Sequence, residues 1–126
     1  MVERLTGLFD KLIVVDRREL PTHGYRAVHV VVDYSGKLIE IQVRTSLQQV
    51  WAEVSEKISD VIDPAIKYGE GNQEVLSLLA NASKLAMEAE LAIQTRDTDR
   101  IIATVQLCVE SFVRLGDLVG RIRRER

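Results

Sequence analysis

Five polar side chains of this 126-residue chain stand where a β-hairpin would gather them: Tyr25 and His29 in one strand-like run, and Glu40, Gln42 and Arg44 in the next. Each suits one part of a nucleotide. A carboxylate such as Glu40 suits Mg²⁺. A guanidinium such as Arg44 suits phosphate. A tyrosine ring suits stacking on a base. His23 stands just ahead of them, before Gly24. Together these residues would make a nucleotide-phosphate site. The alternative is a plain solvated face, which antiparallel sheets commonly have.

The elements that must hold them follow from pattern. Residues 25–33 and 38–45 are rich in β-branched and aromatic residues and predict two strands. Tyr34-Ser35-Gly36-Lys37 predicts the turn between them, with Ser35 and Gly36 as its two loop residues. That turn sets His29 opposite Gln42, Val31 opposite Glu40 and Ala27 opposite Arg44. Side chains alternate faces along a strand. One face then carries Val28, Val30, Val32, Ile39, Ile41 and Val43, and the other carries Tyr25, Ala27, His29, Val31, Glu40, Gln42 and Arg44. A slip of one residue would mix the two sets, so the apolar pattern supports this register.

With 46% hydrophobic and 29% charged residues, the composition is that of an ordinary globular chain. A net charge of −2 supplies no general basic field for nucleic acid. A single cysteine, Cys108, permits no internal disulfide and suits a reducing compartment. No apolar run approaches the roughly 18 residues of a membrane span, and residue 1 opens no signal-peptide pattern. A cytoplasmic protein without membrane contact is the expectation. The predicted class is α+β, divided into residues 1–69 and a helical hairpin over 70–126.

Three blocks in order, Gly24-Tyr-Arg-Ala-Val-His29, Glu40-Ile-Gln-Val-Arg-Thr45 and Trp51-Ala-Glu53, resemble the RelA/SpoT (p)ppGpp synthetase domain over residues 12–69. The segments Val50-Trp-Ala-Glu-Val-Ser-Glu-Lys-Ile-Ser-Asp60 and Asp63-Pro-Ala-Ile-Lys-Tyr-Gly69 resemble the small alarmone synthetases. The resemblance implies a nucleotidyltransferase-like mixed sheet. It implies Mg²⁺-dependent transfer of pyrophosphate from ATP to the 3′-hydroxyl of GDP or GTP. It also implies residue roles. Tyr25 would stack on the guanine, and His29 would lie near the acceptor phosphates or the reacting hydroxyl. Glu40 would bind Mg²⁺ or act as a base, while Gln42 and Arg44 would organise the phosphates. His23 replaces the family's usual Asn in the acceptor loop, and Glu56 replaces a His of the following helix.

The family also has a basic ATP-binding stretch and an Asp-x-x-Gly-x-Arg strand whose Asp shares the metal with the later Glu. Neither is found in this sequence. Arg17 and Arg18 are the only basic pair before Tyr25, and they are expected to flank the acceptor loop. Asp33 is expected to serve the turn. Phosphoryl-type transfer depends on charge neutralisation and positioning. The expectation is therefore an acceptor-side portion with little or no synthetase activity alone. The alternative is an inactive oligomerisation or regulatory module of the same family.

Around this centre, residues 1–11 predict a short helix, 12–15 a strand, 17–24 a loop and 46–62 a helix capped by Thr45 or Ser46. Trp51 is expected in the core, and residues 67–71 read as a linker. Residues 72–96 and 98–126 predict two long helices joined at Arg96-Asp-Thr-Asp99, with Asp97 or Thr98 as N-cap. Val75, Leu79, Ala82, Ala86, Ala89 and Ile93 line one seam. Ile101, Val105, Cys108, Phe112, Leu115, Val119 and Ile122 line the other. Further apolar rows beside these seams, together with the resemblance, predict a homo-oligomer through the C-terminal helices. Arg121, Arg123, Arg124 and Arg126 suit the negative end of a helix better than RNA, since no aromatics interleave them.

Overall fold

The computed structural model describes residues 1–19 and 21–126. The chain opens with one helical turn, α1 (Val2–Thr6), and a first strand, β1 (Leu12–Asp16). The helix is shorter than the 1–11 expected, because the chain leaves it at Gly7 and crosses the sheet through Phe9. Strands β2 (Val28–Tyr34) and β3 (Lys37–Val43) follow. The sheet order is β1-β2-β3 with both pairings antiparallel. The mixed sheet implied by the resemblance is thus antiparallel throughout the described strands. Parallel neighbours need a crossover, usually helical, and the segments joining these strands hold turns.

The hairpin register is the one expected, with His29 opposite Gln42 and Val31 opposite Glu40. Its loop has φ of 54° at Ser35 and 76° at Gly36, the left-handed pair that matches the twist of two strands. Asp33 serves the turn by accepting from Gly36 N–H at 3.0 Å. Val28, Val30 and Val32 are fully covered and pack with Val2, Phe9, Leu12, Ile41 and Val43. Ile39, expected on this face, lies beyond the reach of α1 and stays exposed.

Helix α2 (Ser46–Val61) begins at a capping box. Thr45 Oγ1 accepts from Gln48 N–H, and the Gln48 side chain accepts from Thr45 N–H. Pro64–Tyr68 forms a 3₁₀ helix, which takes in the first two residues of the expected 67–71 linker, and Asp63 caps it at Ala65 N–H (2.9 Å). Helices α3 (Gln73–Thr95) and α4 (Thr98–Glu125) form the antiparallel hairpin, capped by Asn72 and Asp97. A second core joins Trp51, Ile58, Ile62 and Ile66 to Val75, Leu79, Ala82, Leu115 and Leu118.

The α3 seam is the expected one through Ala89, whereas the α4 seam is rotated from its expected row. On α4 the buried row is Thr104, Cys108, Ser111, Leu115 and Leu118, and Val105 is 39% exposed. On α3 the row ends at Ala92, leaving Ile93 51% exposed. Thr104 and Ser111 can occupy the seam because each hydroxyl donates back to its own helix, to Arg100 O and Cys108 O, both at 2.7 Å. Their small volumes then let the alanine-lined α3 approach closely. Cys108 is buried, and burial raises its thiol pKa above the ordinary value. At the far end, Arg126 donates to Ile62 O at 2.5 Å, so part of the arginine tail satisfies the terminal carbonyls of α2. No described helix is long and apolar enough to cross a membrane.

Candidate functional site

The loop that enters β2 is shaped by a tight turn. Tyr25 N–H donates to Thr22 O at 2.9 Å, with φ of 53° at His23 and 85° at Gly24. Gly24 is required twice over. Its φ favours glycine, and a Cβ there would stand 2.7 Å from the Trp51 ring. Helix α3 clamps this loop and the hairpin with residues four and seven apart, on one helical face. Leu79 O accepts from Trp51 Nε1 at 2.7 Å, and Ser83 Oγ donates to Gly24 O at 2.6 Å. Glu90 receives Arg26 Nη2 at 2.7 Å and also the Thr45 hydroxyl. Arg26 is 7% exposed, so this is a buried ion pair joining the start of β2, the cap of α2 and α3.

Held in this way, the five predicted residues meet on one sheet face in a ring of polar contacts, four of them hydrogen bonds. Arg44 Nη2 donates to Tyr25 Oη at 2.7 Å and also to Gln42 Oε1. Gln42 Nε2 donates to Glu40 Oε1 at 2.7 Å. Tyr25 Oη lies 2.9 Å from His29 Nε2, and His29 Nδ1 lies 3.3 Å from Glu40 Oε1. Arg44 is thus linked to Glu40 through Gln42 on one side and through Tyr25 and His29 on the other. The Gln42 hydrogen bond, then the charge of His29, hold the Glu40 carboxyl below its ordinary pKa, with a smaller contribution from Arg17. Arg44 also stands 5.0 Å from the Tyr25 ring centroid, so it covers part of that ring by a cation–π contact.

The ring opens onto a cleft of about 420 Å³ between the turn at Thr22–Tyr25, α2 and the 3₁₀ helix. His23, Tyr25, Gln42 and Arg44 line it, with Gln49 and Lys67. His29 and Glu40 are not among its lining residues and stand on the sheet face beyond its mouth. The His23 ring packs over the backbone of Gly69, where an added Cβ would fall 2.1 Å from Nδ1. Trp51 is buried in the core, as expected, and it also lines the cleft. Arg17 reaches the acceptor loop as expected, through Thr22 Oγ1 at 2.6 Å, whereas Arg18 turns away to Asp16.

Sequence reasoning passed over Gln49 and Glu90. The first was available: the capping box fixes the first turn of α2, and Arg44 Nη1 donates to Gln49 Oε1 at 3.0 Å. Glu90 had no local signal, because its partner Arg26 lies 64 residues away.

The donors do not fit a standing Mg²⁺ site. Glu40 is already bonded to Gln42 and faces His29, and no group of three His, Cys, Asp or Glu converges among the described residues. Mg²⁺ asks for hard oxygen ligands in octahedral array.

No protein-family model matches the chain. It is 31% identical over 101 residues to the uncharacterized protein Rv1366 of Mycobacterium tuberculosis (strain H37Rv) and equally to the uncharacterized protein Mb1401 of Mycobacterium bovis. The aligned region covers 80% of this chain and 37% of each relative, so the chain spans just over a third of the length of the relatives it matches. No solved structure matches it.

Proposed function

We propose that this chain is the acceptor-nucleotide side of a RelA/SpoT-type alarmone synthetase domain, holding GDP or GTP for pyrophosphate transfer from ATP. One observation carries the reading: five side chains singled out from two separate motif blocks meet in one ring of polar contacts at the mouth of a cleft. In this reading the guanine enters the cleft against the open part of the Tyr25 ring and the acceptor phosphates lie toward Arg44. His23 borders the base. His29, fixed at both nitrogens, orients the reacting end, and Glu40 anchors His29. Any Mg²⁺ would arrive with nucleotide phosphates and meet Glu40 as its one carboxylate here. The ATP-side motifs would have to come from another polypeptide segment, so the chain alone has little or no activity. A cytoplasmic setting goes with this chemistry.

Titration with GDP tests it. Tyr25→Ala is expected to weaken GDP by about tenfold or more, the worth of a base–aromatic stack. Unchanged GDP affinity in that variant sinks the stacking role. Mixing the chain with ATP, GDP and Mg²⁺ and resolving AMP and ppGpp by anion exchange, with a complete synthetase in parallel, tests the half-site reading.

A second reading, an inactive self-associating module of the same family, is favoured by an apolar row left open on α4: Ile102, Val109 and Val113, each more than half exposed (62, 56 and 57%). A second copy would cover it. A strictly monomeric chain in light scattering at high concentration counts against that module.

A further inference from the structure

A second face of α4 carries a stripe of apolar and small residues. Ile102, Val105, Val109, Val113, Gly116 and Gly120 recur three or four residues apart, which sets them on one side of the helix. It is not the buried side of Thr104, Cys108, Ser111, Leu115 and Leu118, and all four of its large residues are exposed. The two glycines need a reason. Glycine inside a helix is less stable than alanine. A Cβ at Gly116 would meet no described atom within 4 Å, and one at Gly120 would make only an ordinary contact with Arg124 Nη1 at 3.5 Å. Crowding within the described chain therefore calls for glycine at neither position. Both glycines line a groove of about 600 Å³, together with Arg121 and Arg124.

The stripe is graded along the helix in size and in charge. Its N-terminal end is bulky, with Ile102 and Val105, and its C-terminal end is bare backbone at Gly116 and Gly120. Asp99 stands in the first turn of α4 and Arg124 in the last. Neither has an ion-pair partner among the described residues. At 3.6 residues per turn they fall on the same flank of the stripe.

A surface graded in this way is complementary to itself when turned end for end. With a two-fold axis at the level of Ser111, two copies of this 28-residue helix overlap almost completely, over about 42 Å. Ile102 then faces the partner's Gly120, Val105 lies over the partner's Gly116, and Val109 meets the partner's Val113. Asp99 comes level with the partner's Arg124, on the shared flank. Each contact occurs twice, as an isologous interface requires. Bulk over bare backbone lets the helices approach and fills the space between them. A parallel pair would instead set Ile102 on the partner's Ile102, face glycine with glycine, and bring Asp99 beside the partner's Asp99.

We propose that this chain dimerises through antiparallel α4 helices, with the notch at Gly116 and Gly120 receiving the partner's Ile102 and the partner's Val105. The proposal rests on the self-associating reading for its occupant, a second copy, and adds direction and register.

Sedimentation equilibrium of the whole chain tests it. The native chain is expected to dimerise. Gly120→Leu fills the notch and is expected to weaken the dimer at least about tenfold. The same change should leave the melting temperature of the dilute monomer unchanged or higher, because leucine is the better helix former. Direction is read by cross-linking in a Cys108→Ala background. Asp99→Cys and Arg124→Cys chains should form a disulfide dimer when mixed and oxidised. Neither should do so alone, because the two-fold sets like positions more than about 30 Å apart. A disulfide dimer in unmixed Asp99→Cys chain, no disulfide in the mixture, or a native dimer indifferent to Gly120→Leu overturns the register and leaves self-association standing. A chain that stays monomeric at every concentration overturns both.

Discussion

Arg26 and Arg44 flank the same hairpin and have opposite fates. Arg26 is sealed against α3, with its charge answered by Glu90 and Glu90 answered in turn by Thr45. Arg44 ends on neutral acceptors, Tyr25, Gln42 and Gln49, and faces a cleft. The first network is complete within the protein, so it can only hold the fold together. The second puts a guanidinium, with no carboxylate of its own in direct contact, at the edge of a cleft, so it has something to offer a ligand. A buried ion pair is a poor source of net stability, yet breaking one is costly, because the remaining charge is stranded. The Arg26–Glu90 pair therefore acts as a lock that dictates where the hairpin sits on the helices, and the Arg44 ring is the cargo it positions.

The largest expected effect comes from breaking the lock. Glu90→Leu should cost about 3–5 kcal/mol in urea denaturation, since Arg26 is left buried and unpaired. Removing both partners, Arg26→Leu with Glu90→Leu, should cost clearly less than the sum of the two single changes. Additive losses would erase the distinction between the two networks. Gly24→Ala comes next. It should lose more than about 1–2 kcal/mol, because the left-handed turn resists a Cβ and the Trp51 ring has to move.

Substitutions in the open ring should barely register in stability. His29→Gln is expected to shift unfolding by about 1 kcal/mol or less, the net worth of an ordinary hydrogen bond. A much larger loss in the melt would mean that the ring is structural and the comparison fails. The finest test is titration of Glu40. Its folded pKa lies below the ordinary value of 4.5, chiefly through Gln42 and then His29. Its contribution is therefore present above that ordinary value and is lost as pH falls through the lowered one. Carboxyl NMR should find the Glu40 pKa higher in Gln42→Ala than in the native chain. An unmoved titration would break the ring at that link.

Much of this was legible before the fold was known, and the reason is range. The hairpin register follows from a turn with two left-handed residues and from alternation over a few positions, so His29, Glu40, Gln42 and Arg44 fall on one face by local geometry alone. The caps at Thr45, Asn72 and Asp97 are likewise set by residues three apart. Alternation could not foresee that Ile39 escapes cover, because what covers a face belongs to another element. Heptad counting found both long helices and the contact line of α3 as far as Ala89, but misplaced that of α4. Rotation of one helix against another is decided by packing volumes, and Thr104 and Ser111 look polar until their hydroxyls turn inward to their own backbone.

The division between paired and unpaired arginines shows the limit most sharply. Arg17, Arg18, Arg26 and Arg44 are chemically alike in the sequence. The resemblance set the expectation that Arg17 and Arg18 flank the loop before Tyr25, and of the two only Arg17 reaches it. Tertiary structure alone decided which charges were answered, by carrying Glu90 across 64 residues to Arg26 and by leaving Arg17 and Arg44 on neutral acceptors. Coulombic pairing acts over a few ångströms of space and takes no account of distance along the chain, so only the folded molecule could sort them.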